Sequence, residues 1–162
     1  MTPTDLARAL QAFLGEHLPM QRNLSVHTIR SYRDTMLLLL RFCRDQQGLT
    51  IERLRITDLE AGLVEAFLEH LEKERGCTIR TRNQRLAAIH AFARYLQIEA
   101  PEHILHCQRL LAIPVKRYAR SILHYLSDKQ IEMILGQPDL STLQGRRDAT
   151  LLNVLYDTGA RV

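Results

Sequence analysis

The apolar residues of this chain recur at three- and four-residue intervals almost from end to end, and each run is bounded by a residue that starts or stops a helix. That spacing restricts the fold to helices packed on helices, because a strand would need alternation every second residue. Leu6, Leu10, Phe13 and Leu14 form a first stripe with Thr4 as its N-cap, and Pro19 to Asn23 reads as a break. Ser25 caps a second helix that turns Ile29, Tyr32, Met36, Leu39, Leu40 and Cys43 inward, and Gly48 ends it. Thr57 and Glu60 have capping-box spacing ahead of Leu59, Leu63, Phe67, Leu68 and Leu71, and Gly76 closes that helix. A fourth helix starts at Thr78 or Thr81, with Leu86, Ile89, Ala93 and Leu96 on its inner side. Its outer side carries Arg80, Asn83, Ala87, His90, Ala91 and Arg94, and the two alanines leave room for a duplex groove to come close.

The pattern weakens after Pro101. A short helix is expected from His103 to Leu111, ended by Pro114, and the stretch from Pro114 to Tyr125 is basic and aperiodic. Ser127 caps a helix over Asp128 to Leu135 with Ile131, Ile134 and Leu135 inward. Gly136, Pro138 and Gly145 mark loops, and a last helix is expected from Arg146 through Val162 without a cap. The expectation is an all-α protein. It has a helical domain over 1–112, a basic linker over 113–126, and over 127–162 the first part of a second domain that is cut short.

Charge is distributed unevenly over these elements. The net charge is +4, which alone says little. Between Thr78 and Leu96, however, Arg80, Arg82, Arg85 and Arg94 occur with no acidic residue, and Lys116, Arg117 and Arg120 follow. Glu60, Glu65, Glu69, Glu72 and Glu74 concentrate the opposite charge on the third helix. Separated faces favour an oriented encounter with phosphate, a mild pointer to a polyanionic partner such as double-stranded DNA. Arg80 and Asn83 suit guanine and adenine edges, and Arg82, His90 and Arg94 share their helix. His27, Thr28, Arg30 and Ser31, at the start of the second helix, are placed to meet phosphates. Lys116, Arg117 and Arg120 are placed to track the backbone. The plainer readings are a solvated arginine face and a local bond for Asn83 near its helix start.

Other chemistries find little support. Cys43, Cys77 and Cys107 form no C-x-x-C pair, which suits a reduced, cytoplasmic protein. No apolar run is long enough to span a bilayer, and no signal-peptide pattern opens the chain. His103, His106 and Cys107 share a helix face but lack a fourth ligand, so no metal is expected. No cofactor or small-molecule substrate is expected either, and the Ile29/Tyr32/Met36 stripe reads as core.

Three segments resemble the tyrosine recombinase, or phage integrase, family of mobile elements. Leu24-Ser25-x-x-Thr28-x-x-x-Tyr32, with the apolar run to Phe42, looks like the start of that family's core-binding domain. Thr81-x-Asn83-x-x-Leu86-x-x-Ile89-x-x-Phe92-x-x-Tyr95-Leu96 is similar to its later DNA-facing helix. Tyr125-Leu126-Ser127, Arg146-Arg147-Asp148 and Leu152-x-x-Leu155-Tyr156-x-Thr158-Gly159-Ala160-Arg161-Val162 resemble the opening of its catalytic domain. The resemblance implies a SAM-like core-binding domain of four to five helices and a role in DNA integration and recombination. It makes Arg161 the first arginine of the catalytic set, with a guanidinium that stabilises charge building on the scissile phosphate. The remaining catalytic groups, including the tyrosine that forms a 3′-phosphotyrosyl link, lie downstream in the family. The chain alone is therefore expected to bind without cleaving, with other recombinase protomers as further partners. Two alternatives stand beside this reading. One is a non-catalytic DNA-binding protein, a gene remnant or a competitor of an intact recombinase. The other is a helical protein-interaction module resting on the acidic third helix.

Overall fold

The computed structural model describes residues 2–118 and 125–160. Among these there are seven α-helices and no strand: α1 (Asp5–Ala12), α2 (Val26–Gln47), α3 (Ala61–Lys73), α4 (Ile79–Glu99), α5 (Ile104–Leu111), α6 (Asp128–Leu135) and α7 (Leu143–Thr158). The chain divides into two compact units, Met1–Tyr118 and Ala119–Val162.

Helix starts in the first unit follow their caps. The hydroxyls of Thr4, Ser25 and Thr78 accept from the N–H of Ala7, Thr28 and Thr81, three residues on. Gly48 ends α2 in the left-handed region at φ +64°, and its N–H donates to the Cys43 carbonyl. Two boundaries differ from expectation. The chain does not break at Pro19, because α1 runs directly into a π-helix over Phe13–Gln21. The helical run ends at Gln21, and Asn23 then adopts φ +46° while Leu24 N–H donates back to the Leu18 carbonyl. The Thr57/Glu60 box does not form. A 3-10 turn over Ile56–Asp58 buries Ile56 and Leu59, the Asp58 carboxylate accepts from Arg55 N–H, and Glu60 becomes the N-cap residue of α3.

The core of the first unit draws on α1 to α5 and on the residues after α5. Phe13, Phe67 and Phe92 are at most 1 to 2 % exposed, and Phe13 meets Phe92 with ring centroids 5.2 Å apart in a tilted arrangement. α4 is the central element. Leu86, Ile89, Ala93 and Leu96 face inward as the spacing predicts, but Arg82, Ala88, His90, Phe92 and Tyr95 are also buried. The helix packs against α2, α3 and α5, so it has no single solvent-facing half. Ile113 is buried in the same core, and the compact unit runs to Tyr118 rather than ending at 112.

The second unit is built differently. Ser127 and Gln130 form a reciprocal capping box at the start of α6. α7 starts at Leu143, earlier than the Arg146 expected, because the Thr142 hydroxyl caps it by accepting from Gly145 N–H at 2.9 Å. Gly145 is thus part of the helix and not a loop marker, and a β-carbon there would collide with the Asp139 carbonyl. α7 also ends earlier than expected. Gly159, at φ +61°, caps it after Thr158, with its N–H on the Leu155 carbonyl. Ile134, Leu151 and Val154 are exposed, whereas Ile131, Leu135, Leu152 and Leu155 are half-buried.

Candidate nucleic-acid interface

The outer side of α4 and the start of α2 border one cleft of about 390 Å³. Leu24 and Tyr32 line it from the α2 side, and Ala87, His90, Ala91 and Arg94 from α4. Phe13, His17 and Arg22 come from the π-helix and its end, and Val115 from the segment after α5. The alanines read from the sequence as gaps are therefore part of a real depression. Arg22 is exposed beside it. It escaped the sequence reading because it lies in the stretch taken as a break, and no motif marks it.

The candidate residues fall into three groups. His27, Arg30, Arg80 and Arg94 are exposed, and Thr28 is half-buried. Arg30, Arg80 and Arg94 make no ion pair among the described residues, so their guanidinium groups carry uncompensated charge at the surface. Thr28 belongs to the cap, its hydroxyl 3.0 Å from that of Ser25.

A second group is engaged inside the protein, which differs from the exposed face expected of it. Arg82 is 5 % exposed and donates from one Nη to the Pro114 carbonyl at 2.9 Å and to Asn83 Oδ1 at 3.1 Å. Its Nε lies 3.5 Å from Glu72 Oε1, close enough for Coulomb attraction, but forms no hydrogen bond. A buried guanidinium held in this way cannot reach a groove without breaking the packing. His90 is 8 % exposed, with Nε2 3.1 Å from the Leu110 carbonyl, and this contact ties α4 to α5. Burial holds its pKa below the usual imidazole value, helped by the charges of Arg94 and Arg82 and opposed by the bond to Leu110. Ser31 is half-buried where α2 meets α4. Its hydroxyl accepts from Gln84 at 3.2 Å and its carbonyl from Arg85 at 3.1 Å. Arg85 also reaches the buried Thr35 hydroxyl at 3.0 Å, so this arginine fastens two helices.

Asn83 is the third case. Its Nδ2 donates to the Lys116 carbonyl at 2.7 Å, and its Oδ1 accepts from Lys116 N–H at 3.1 Å as well as from Arg82. Bidentate reading of adenine needs one free acceptor and one free donor on the carboxamide. Both lone pairs of Oδ1 are taken here, so Asn83 does not present that pair. Lys116 is held in turn by Glu72, with Nζ 2.7 and 3.0 Å from its two carboxylate oxygens. Arg117 is exposed. Arg120 and Arg161 lie outside the described residues. Among the described residues no group of His, Cys, Asp and Glu could hold a metal ion, and no helix is long and apolar enough to cross a membrane.

Residues 10–100 match the family described as phage integrase, N-terminal SAM-like domain. The chain belongs to the tyrosine recombinase family. The integrase match covers the helices from the end of α1 through α4, and with them every residue that lines the cleft except Val115. The chain is 43% identical over 97% of its length to a putative integrase/recombinase of Sinorhizobium fredii, of which it covers 47%. It is 37% identical to a second such protein from the same strain, covering 56% of it. It is 28% identical over 91% of its length to the tyrosine recombinase XerC of Bacillus subtilis, covering 45% of that protein. The chain thus spans about half the length of the curated relatives it matches. No solved structure matches it. The all-helical, SAM-like fold expected of a tyrosine recombinase is the fold observed.

Proposed function

We propose that this chain supplies the DNA grip of a tyrosine-type site-specific recombinase acting in DNA integration and recombination. The observation that carries this reading is the match of residues 10–100 to the integrase N-terminal domain. The surface supports it: Arg30, Arg80 and Arg94 are exposed and unpaired among the described residues, and Arg22 and Arg94 line the cleft between α2 and α4. In this reading these arginines, with His27, Thr28 and the exposed Arg117, contact the phosphates and groove edges of a duplex. The reading assigns Arg120 to the same phosphate-contacting role. Arg161 is the one position here that the resemblance assigns to the catalytic set. Other recombinase protomers are further partners in this reading.

Duplex binding followed by fluorescence anisotropy over a salt series tests the proposal. Wild-type affinity should fall steeply as salt rises, because each phosphate neutralised releases counterions. Replacing Arg80 and Arg94 together by alanine should weaken binding and flatten the slope of log K against log salt by about two. Binding to no duplex, or binding indifferent to salt, would sink the proposal.

A further inference from the structure

The geometry points to Asn83 as a positioning residue that clasps the segment leaving the helical unit, rather than as a reader of bases. Both ends of its carboxamide are spent on the backbone of Lys116, through the 2.7 Å bond to the carbonyl and the 3.1 Å bond from the N–H. That pair of bonds is what a neighbouring strand would offer an extended segment, supplied here by one side chain.

The surroundings reinforce the clasp from two sides. Arg82, buried behind Asn83, orients Oδ1 at 3.1 Å and holds the Pro114 carbonyl at 2.9 Å, two residues before Lys116. Glu72 on α3 fixes the Lys116 ammonium through both oxygens, and its Oε1 lies 3.5 Å from the Arg82 Nε. Ile113, 4 % exposed, anchors the start of the same segment in the core. Residues 113–116 are therefore pinned at four points by α3, α4 and the core, although Pro114, Val115 and Lys116 lie at the surface. An extended surface segment usually exchanges freely among conformations, and pinning it on α3 and α4 gives the chain a fixed point of departure. The basic residues that follow then start from a set place relative to the arginines of α4. The clasp itself stands on this geometry, and its consequence for DNA rests on the function proposed above.

Amide hydrogen exchange on the full chain tests the clasp, with wild type beside N83A and N83D. The Lys116 N–H should exchange more slowly than its exposure alone would allow. N83A should speed it by about tenfold, the loss of a hydrogen bond of ordinary strength. N83D keeps the acceptor but sets a carboxylate oxygen against the Lys116 carbonyl in place of the Nδ2 donor, so it should lose protection as well, while amides in the middle of α4 stay unchanged in both variants. An unprotected Lys116 amide in wild type would overturn the inference, as would a rise in exchange spread evenly along α4 in N83A. Duplex binding gives the second readout. A clasp predicts that N83A weakens all duplexes alike or not at all. A loss confined to duplexes with adenine at one position would restore the base-reading role and overturn the clasp. If no duplex binds, the proposed function fails, but the exchange result still decides the clasp.

Discussion

The two units use the same helix signals and reach different ends. In Met1–Tyr118, Thr4, Ser25 and Thr78 cap helices whose stripes meet around Phe13, Phe67 and Phe92. In Ala119–Val162, Ser127 and Thr142 cap α6 and α7 as well as any in the first unit, and Gly159 closes α7. Yet among the described residues of that unit only Gly145 is buried, and Leu151, Val154 and Tyr156 stand exposed. Caps contribute about 1 kcal/mol each and set where a helix starts. Stability comes from buried apolar surface, at roughly 25 cal/mol per Å². Among its described residues the second unit is thus well delimited by its caps but buries little apolar surface, whereas the first unit is both delimited and held by its core.

The sharpest way to break this contrast is to delete a side chain from each unit. Phe92→Ala should cost about 3–5 kcal/mol, a large part of an ordinary domain's stability, and should lower the urea midpoint of the main transition strongly. Val154→Ala, at a half-exposed position, should move that midpoint by no more than about 0.5 kcal/mol equivalent. Equal effects would mean that α7 contributes to a core as much as α4 does.

The second unit should depend instead on its close backbone approach. Gly145→Ala drives a β-carbon against the Asp139 carbonyl and disturbs the Thr142 cap. It should cost about 1–3 kcal/mol locally. Exchange of amides in the first turn of α7 should rise while the first unit stays unchanged. Intact protection in that turn would show that the loop simply moves aside.

The smallest expected effect is a pH dependence confined to the first unit. His90 is buried in its neutral form with its folded pKa depressed, so the unfolded chain binds the proton more readily. Its contribution is fully present above the ordinary histidine pKa of about 6.5 and is lost as pH falls from there through the lowered folded value. The urea midpoint should therefore drop between pH 7.5 and pH 5, and His90→Gln, whose amide can still donate to Leu110, should flatten that drop. An unchanged slope in the variant would remove His90 from the account.

Much of this was legible locally. Thr4, Ser25, Thr78, Ser127 and Gly48 act within five residues of themselves, so their roles can be read from spacing alone. Boundaries were missed where a distant contact rearranged the local choice. The 3-10 turn before α3 forms where Ile56 and Leu59 bury into the core and Ile56 N–H donates to Asp5, fifty-one positions away. Gly145 reads as a loop residue by type alone, and only the fold of the 139–142 turn against α7 shows why no side chain fits there.

The sequence by itself determined that this protein is helical, where most of its helices begin, which stripes make its core and to which family it belongs. Each of those rests on periodicity or on residues a few positions apart. The tertiary structure alone decided which polar residues of α4 remain available to a partner. A wheel drawn for α4 puts Asn83, His90 and Arg94 on one outer side, but the helix is enclosed by α2, α3, α5 and the segment after α5. Lys116 and Leu110 take up Asn83 and His90 from thirty-three and twenty positions away, and Arg80 and Arg94 are left free among the described residues. A buried polar group must find a hydrogen-bond partner wherever the fold brings one, and that partner is invisible to any window of local sequence.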